Sequence, residues 1–285
     1  MTEGHILIAD SGSTKTDWIL VARGGERLEL HTDGINPVRD ARDTIYNVLR
    51  HQLLPQLPQA ATDLTSVLFY GAGCIEPFSQ TLRDVIRELL PDCPAKVESD
   101  LLGAARALCG HEPGIACILG TGSNSCLFDG KDIAMHTPPL GYILGDEGSG
   151  AFLGKALLNG LFKGLLPEAL VQAFRDKYKL TLTAVIERVY QLPAANTFLA
   201  SLVPFLAEHR TDPAVHDMLV NAFRLFLMRN IAVYGHREMP VHCVGGIAHQ
   251  FQEELRDAAA EEGMKAGRIL QRPIERLVQY HLLRN

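Results

Sequence analysis

Residues 7–21 of the chain read LIADSGSTKTDWILV: an apolar stretch, a polar turn and a second apolar stretch. The apolar residues predict two adjacent strands, and the turn between them combines Asp10 with glycine, hydroxyl side chains and Lys15. A hairpin does not need this chemistry, since any tight turn would join its strands. Closely spaced backbone N–H groups and hydroxyls form a nest that binds anions. The stretch therefore predicts a strand-turn-strand unit whose turn has the chemistry to hold an anionic ligand.

The same arrangement begins again later in the chain. Residues 114–119 (GIACIL) predict a strand, residues 120–125 (GTGSNS) a polar turn, and residues 126–128 the opening of a further strand. The remaining predicted elements are strands at 28–31, 66–71, 95–98 and 241–244, helices at 38–54, 77–90, 99–108, 247–262 and 273–283, and mostly helical structure over 147–236. We interpret the chain as a duplication of one α/β topology.

Bulk composition narrows the class of protein. A chain of 285 residues with 47% hydrophobic and 21% charged residues can form one large or two ordinary globular domains. The net charge of −6 gives no general attraction for nucleic acid or for an anionic membrane. The six cysteines form no C-x-x-C pair, which favours free thiols in a reducing compartment. The sequence contains no apolar run of the ~20 residues that a membrane-spanning helix needs, and no signal peptide pattern. We expect a cytoplasmic protein.

Neither polar turn matches the common nucleotide-binding motifs. The P-loop pattern G-x-x-x-x-G-K-[ST] is absent, and no G-x-G-x-x-G opens a helix, which argues against a dinucleotide fold. Each turn taken alone is best explained as an ordinary hairpin loop. Two such turns, together with Asp10 and the strand-to-helix turn at Gly245 and Gly246, favour a phosphate chain held from two sides.

Six stretches resemble, in order, the motifs of the superfamily of sugar kinases, heat-shock chaperones and actin-like ATPases. They are IADSGSTKTDW, DGINP, ESDLLGAARA, ILGTGSNS, LGDEGSG and CVGGIA, and they run from residue 8 to residue 248. DGINP and GDEGSG are specific to the branch that contains N-acetylglucosamine kinase and the BadF/BadG/BcrA/BcrD ATPases. The resemblance implies an α/β fold of two ribonuclease-H-like (actin-like ATPase) lobes with a nucleotide cleft between them. We expect one lobe over 1–110, joined by the C-terminal helix 273–285, and a second lobe with extra helices over 111–272.

The resemblance also implies roles for individual residues. Asp100 matches the catalytic base, and Asp10 matches the acidic residue that holds Mg²⁺ through water. The residues that match ATP contacts are Gly12, Ser13, Thr14, Lys15, Thr121 and Gly122 for the phosphates and Gly245 and Gly246 for the adenosine. The residues that match sugar contacts are Asn36, Asp100, Ser123, Asn124, Gly141 and Asp146.

Several of these residues have a simpler structural explanation. Asp100 could serve only as a helix N-cap, although Ser99 can fill that position instead. Lys15 could be a solvated turn lysine, and Asn36 could cap its own turn. Glu147 either supports the sugar site or begins the next helix, and the sequence favours the second alternative.

The implied function is the ATP- and Mg²⁺-dependent phosphorylation of an amino sugar, with N-acetylglucosamine at its 6-hydroxyl as the first choice. Leu140 stands where the animal N-acetylglucosamine kinases have a tryptophan, so the identity of the sugar stays open. The alternative is an ATPase coupled to a protein partner, as in the dehydratase activators, but the cysteines lack the placement that an iron–sulfur cluster needs. The resemblance is also compatible with a homodimer, for which the sequence carries no separate signature.

Overall fold

The computed structural model describes residues 4–12, 14–22, 24–58 and 63–282. The chain divides into two compact units. The first comprises residues 1–112, 130–132 and 272–285, and the second comprises residues 113–129 and 133–271. Each unit has its own sheet and its own hydrophobic core. In the described part of the chain, no helix is long and apolar enough to cross a membrane.

The first unit is built on a five-stranded mixed sheet. Its strands are β1 (His5–Ser11), β2 (Lys15–Val21), β3 (Arg27–Asp33), β4 (Leu64–Gly71) and β5 (Ala95–Ser99), in the order β3-β2-β1-β4-β5. Strands β1, β2 and β3 form an antiparallel meander, whereas β1, β4 and β5 are parallel to one another. The carboxyl ends of these parallel strands therefore share one edge of the sheet, which is where open α/β sheets bind ligands.

Helices cover both faces of this sheet. The helices are α1 (Arg42–Val48), α2 (Ser79–Leu89), α3 (Asp100–Cys109) and α13 (Ile274–Leu282). Leu7 and Ala9 pack with residues of α1 and α2, while Ile8 packs with residues of α3 and α13. Because side chains alternate along a strand, Asp10 lies on the same face as Ile8, where α3 begins.

The second unit repeats this topology. Its strands are β6 (Gly114–Leu119), β7 (Ser123–Phe128), β8 (Ile133–Thr137), β9 (Val241–Val244) and β10 (Ala266–Leu270), in the order β10-β9-β6-β7-β8. Strands β6, β7 and β8 form the antiparallel meander, and β6, β9 and β10 are parallel. The duplication predicted from the two polar turns is confirmed.

Most of the helical structure lies in the second unit. Its helices are α4 (Gly141–Leu144), α5 (Gly150–Phe162), α6 (Glu168–Tyr178), α7 (Leu182–Tyr190), α8 (Ala195–Ala200), α9 (Val203–Glu208), α10 (Pro213–Phe226), α11 (Gly246–Gln250) and α12 (Gln252–Glu261). Phe205, Phe223 and Phe226 are fully buried in its core. Helix α10 continues into a π-helical turn (Leu227–Ile231) and then a 3₁₀ turn (Ala232–Tyr234).

Several element bounds differ from the sequence prediction. Strand β7 begins at Ser123, so the polar turn covers only residues 120–122. The polar residues at the start of β7 pair with β6. Among them, Ser125 is buried against Tyr234, with 2.8 Å between their hydroxyl oxygens. Strand β10 was not predicted, because its five half-buried or exposed residues, AGRIL, carry no clear alternation. The helix predicted over 247–262 is broken at Phe251 into α11 and α12.

The helix predicted over 38–54 begins at Arg42 and changes type along its length. After α1 it continues as a π-helical turn (Leu49–Leu53) and then a 3₁₀ turn (Leu54–Gln56). Pro55 lies in the first positions of the 3₁₀ turn and not beyond the helix. A proline is tolerated there because its missing N–H would have no partner in the first turn.

Candidate active site

Asp10 lies near the carboxyl end of β1, directly opposite Asp17 on β2. Its side chain is half-buried, and within the described residues no hydrogen bond or ion pair neutralises it. The pKa of Asp10 is raised from 3.8 to about 7; burial contributes most, Asp100 and Asp17 add to the shift, and Lys15 and Arg272 oppose it. A carboxylate in this position is costly unless a proton or a cation accompanies it.

Asp100 is the first residue of α3, at the same edge of the sheet. Ser99 is the N-cap of this helix, because its Oγ accepts the Leu102 N–H at 3.2 Å. The Asp100 carboxylate accepts the Leu101 N–H, at 2.8 Å. Burial raises the pKa of Asp100, and that hydrogen bond counteracts the shift. Since Ser99 caps the helix, the remaining lone pairs of Asp100 can accept a proton from a ligand.

Asp17 holds three basic side chains beside the first turn. Its side chain is only 6% exposed and lies 3.1 Å from Lys15 Nζ, 2.9 Å from His31 Nδ1 and 3.5 Å from Arg272 Nη1. Lys15 is 59% exposed, and its ammonium group contacts the Asp17 carboxylate. Neither Asp17 nor Arg272 was predicted from the sequence. The cluster keeps positive charge near the β1–β2 turn.

The β1–β2 turn is fixed to the segment that carries Asn36. Ser11 Oγ contacts Thr16 Oγ1 at 2.7 Å and accepts the Ile35 N–H at 3.0 Å. The Gly12 N–H donates to the Lys15 carbonyl at 3.0 Å, which closes the turn. Thr14 is exposed, and Ser13 lies outside the described residues. The structure therefore brings the turn and Asn36 together.

Asn36 has both a structural contact and a free amide group. Its Oδ1 accepts the Val38 N–H at 3.1 Å, so it does cap its own turn. No partner for its Nδ2 exists within the described residues. A Cβ added at Gly73 would lie 2.0 Å from Asn36 Oδ1, so the neighbouring turn fits closely around this side chain. The amide hydrogens of Asn36 are available to a ligand hydroxyl.

Asp146 contacts the start of β7, where Ser123 and Asn124 lie. Asp146 Oδ1 accepts the Ser123 N–H at 3.2 Å, and a Cβ at Gly122 would lie 3.1 Å from Asp146 Oδ2. Asn124 Oδ1 accepts the Ser125 N–H at 3.0 Å and lies 2.8 Å from His136 Nε2. Burial raises the pKa of Asp146, although the Ser123 N–H opposes the shift. The Asp146 carboxylate therefore lies against the backbone of Ser123, the residue that directly precedes Asn124.

The residues around this cluster differ in part from the prediction. Helix α5 begins at Gly150 with Ser149 as its N-cap, so the expectation that Glu147 begins the next helix is wrong. Glu147 instead lies in the preceding turn, with Oε1 accepting from Arg229 Nη1 at 2.8 Å. Thr121 is exposed, and its carbonyl accepts the Ala151 N–H at 3.0 Å. Gly141 is exposed at the start of α4, the helix that ends two residues before Asp146.

Gly245 and Gly246 follow β9, but only Gly245 lies in a position that requires a glycine. Gly245 has a φ of 126°, and a Cβ there would lie 2.3 Å from the Leu119 carbonyl oxygen, so a larger residue cannot be accommodated. Gly246 is exposed at the start of α11 and lines a groove of about 570 Å³ together with Val203 and Ile247. This volume lies in the usual range for small-molecule sites.

No protein-family model and no curated protein sequence matches the chain. The structure is similar to that of the "Putative N-acetylglucosamine Kinase" of Porphyromonas gingivalis, with 48% sequence identity and a TM-score of 0.93 over 97% of this chain and 98% of the other. The chain therefore belongs to the N-acetylglucosamine kinase family. A protein of the same description from Chromobacterium violaceum is 19% identical, with a TM-score of 0.71 over 98% of this chain and 99% of that one.

The wider relationship is one of fold. MreB 5 of Spiroplasma citri, solved with AMPPNP bound, is 10% identical, with a TM-score of 0.58 over 99% of this chain and 96% of that one. This kinase-family chain thus has the two-lobe α/β fold of the actin-like ATPases, as the motifs predicted. Arg229 contacts Glu147 and Arg272 contacts Asp17, but neither arginine lies in one of the motifs. A comparison of motifs therefore could not identify them.

Proposed function

We propose that the protein transfers the γ-phosphoryl group of ATP to the 6-hydroxyl of N-acetylglucosamine, forming N-acetylglucosamine 6-phosphate and ADP. The observation that carries the proposal is the pair of half-buried carboxyl groups, Asp10 and Asp100, at the carboxyl edge of the parallel strands. Phosphoryl transfer needs a metal-binding carboxylate and a base at the acceptor hydroxyl. The membership of this chain in the N-acetylglucosamine kinase family supports the choice of substrate.

Asp10 suits the role of the magnesium-binding residue. Its carboxylate lacks a partner within the described residues, and its pKa is raised by burial and by two neighbouring carboxyl groups. Oxygen ligands and retained waters are what Mg²⁺ prefers. When bound, Mg²⁺ would neutralise charge on the β- and γ-phosphate oxygens.

We assign the remaining ATP contacts to the two turns and the groove. Backbone N–H groups of the predicted phosphate-binding residues would hold the phosphate oxygens, with Lys15 as a cation; these residues are Gly12, Ser13, Thr14, Thr121 and Gly122. Gly246 opens onto the groove beside α11, which would receive the adenosine. The AMPPNP bound to MreB 5 supports a nucleotide on this fold.

Asp100 would act as the general base. It accepts the proton of the sugar 6-hydroxyl while that oxygen attacks the γ-phosphorus, the bond to the β,γ-bridging oxygen breaks, and ADP leaves. The raised pKa of its buried carboxyl group makes it a stronger proton acceptor than a solvated aspartate. The Asn36 amide would donate to one sugar hydroxyl, and the Asp146 carboxylate would accept from two.

The test is ADP release from Mg·ATP with N-acetylglucosamine, glucosamine, N-acetylmannosamine, N-acetylmuramic acid or glucose as acceptor. N-acetylglucosamine should stimulate ADP release in step with sugar phosphate, and Asp100→Asn should lower kcat by about a hundredfold or more. Glu98→Gln is the matched control, because it removes a carboxylate two residues away that has no role in the proposal.

Two results would count against the proposal. If another sugar of the panel is the better acceptor, the substrate is corrected while the kinase chemistry stands. If ADP forms at one rate whatever sugar is present, the kinase proposal fails, and an ATPase coupled to a protein partner takes its place.

A further inference from the structure

A buried carboxylate lies immediately after the proposed sugar-binding residue Asp146. The Glu147 side chain is 8% exposed; its Oε1 accepts from Arg229 Nη1 at 2.8 Å and its Oε2 from Asn230 Nδ2 at 3.3 Å. Burial by itself would raise the pKa of Glu147, but these donors more than offset it and the pKa is lowered. Glu147 is therefore held as a charged, doubly hydrogen-bonded group.

Both of its partners lie on the π-helical turn, Leu227–Ile231, that follows α10. A π-helical turn interrupts the regular ladder of backbone hydrogen bonds, and such turns are frequent at functional sites. Here the Asn230 carbonyl accepts two side-chain hydroxyls, Ser125 Oγ at 3.3 Å and Thr137 Oγ1 at 3.1 Å. Ser125 directly follows Asn124 on β7, and Thr137 ends β8. One turn thus fixes two strands and the Glu147 loop together.

The Asp146 backbone needs such support. Its φ of 55° is a left-handed conformation, which costs free energy for a residue with a side chain. The Asp146 N–H donates to the Pro139 carbonyl at 3.0 Å, and its own carbonyl accepts the Ser149 N–H at 3.1 Å. Glu147 continues this backbone, so its ion pair with Arg229 restrains the same loop.

We propose that Arg229 and Asn230, through Glu147, are positioning residues that hold the Asp146 carboxylate against the Ser123 N–H at the start of β7 and so determine how tightly the sugar is bound. The inference rests on the proposed function, in which Asp146 and Asn124 contact the sugar. Arg229 is 60% exposed but Glu147 is only 8% exposed, so replacing Arg229 also costs some stability. A role in positioning is therefore recognised by a change in sugar binding that ATP binding does not share.

The test compares Arg229→Gln with Arg224→Gln. Arg224 lies on the same helical segment, is 39% exposed and pairs with Glu261 and Glu262 instead of Glu147. Arg229→Gln should raise the KM for N-acetylglucosamine about tenfold, as expected for a lost charge-assisted hydrogen bond, and leave the KM for ATP unchanged. Arg229→Lys should recover part of the loss, and Arg224→Gln should match the wild type.

Hydrogen exchange of the ligand-free protein supplies a readout that does not depend on activity. Amides of Asp146 and Ser149 should exchange faster in Arg229→Gln than in Arg224→Gln. An unchanged sugar KM together with unchanged exchange overturns the inference, as does an equal rise in the KM for both substrates. A wild type that phosphorylates no sugar contradicts the proposed function instead, and the exchange measurement then still decides whether Arg229 restrains the loop.

Discussion

At the scale of single residues, the cross-strand neighbours Asp10 and Asp17 differ in how their charge is balanced: Asp17 contacts three basic side chains, whereas the pKa of Asp10 is raised. Because the folded-state pKa of Asp10 is about 7 against an ordinary 3.8, the folded protein keeps a proton that the unfolded chain loses between these values. The free energy of unfolding therefore falls as the pH rises through this window. Asp10→Asn should stabilise the ligand-free protein by on the order of 1 kcal/mol more at about pH 8 than at about pH 5.

Thermal unfolding at both pH values measures this effect, and a magnesium-dependent activity assay should show that the stabilised Asp10→Asn variant is inactive. Asp17→Asn is the control of opposite sign. It removes the shared partner of Lys15, His31 and Arg272, so it should lower the midpoint of unfolding. An Asp10→Asn variant no more stable than the wild type at the higher pH would mean that a cation or another partner already neutralises Asp10.

At the scale of secondary-structure elements, the end of β9 depends on a glycine that no other residue can replace. A Cβ at Gly245 would meet the Leu119 carbonyl oxygen of β6 at 2.3 Å, and the φ of 126° adds backbone strain. Gly245→Ala should therefore destabilise the second unit by about 1 to 3 kcal/mol, whereas Gly246→Ala, with no atom within 4 Å of its added Cβ, should leave folding intact. Urea unfolding followed by far-UV circular dichroism compares them; equal stabilities would show that β9 and β6 can separate without cost.

The same elements show what could be predicted from the sequence. Strands β6 and β9 were predicted with their correct bounds, because a continuous apolar run between turn residues is a strong local signal. Strand β10 was missed, since a short edge strand owes its conformation to pairing with β9. For the same reason the Arg229 contact with Glu147, between residues 82 positions apart, has no local pattern. Motifs predicted the Asp146 segment, but only tertiary contacts identify what holds it.

At the scale of the whole molecule, the two units have separate cores, and the fluorescence of the single tryptophan reports on the core of the first unit. Trp18 is the only tryptophan, and it is buried against Phe69 in the first unit, with ring centroids 5.5 Å apart. Phe223 belongs to the core of the helix-rich second unit. Phe223→Ala should cost about 3 to 5 kcal/mol and lower the urea midpoint of far-UV circular dichroism, while the midpoint of Trp18 emission stays near that of the wild type. Phe69→Leu should do the reverse. If both signals shift together in both variants, the chain unfolds as one cooperative unit, and the separate cores do not act as separate units of stability.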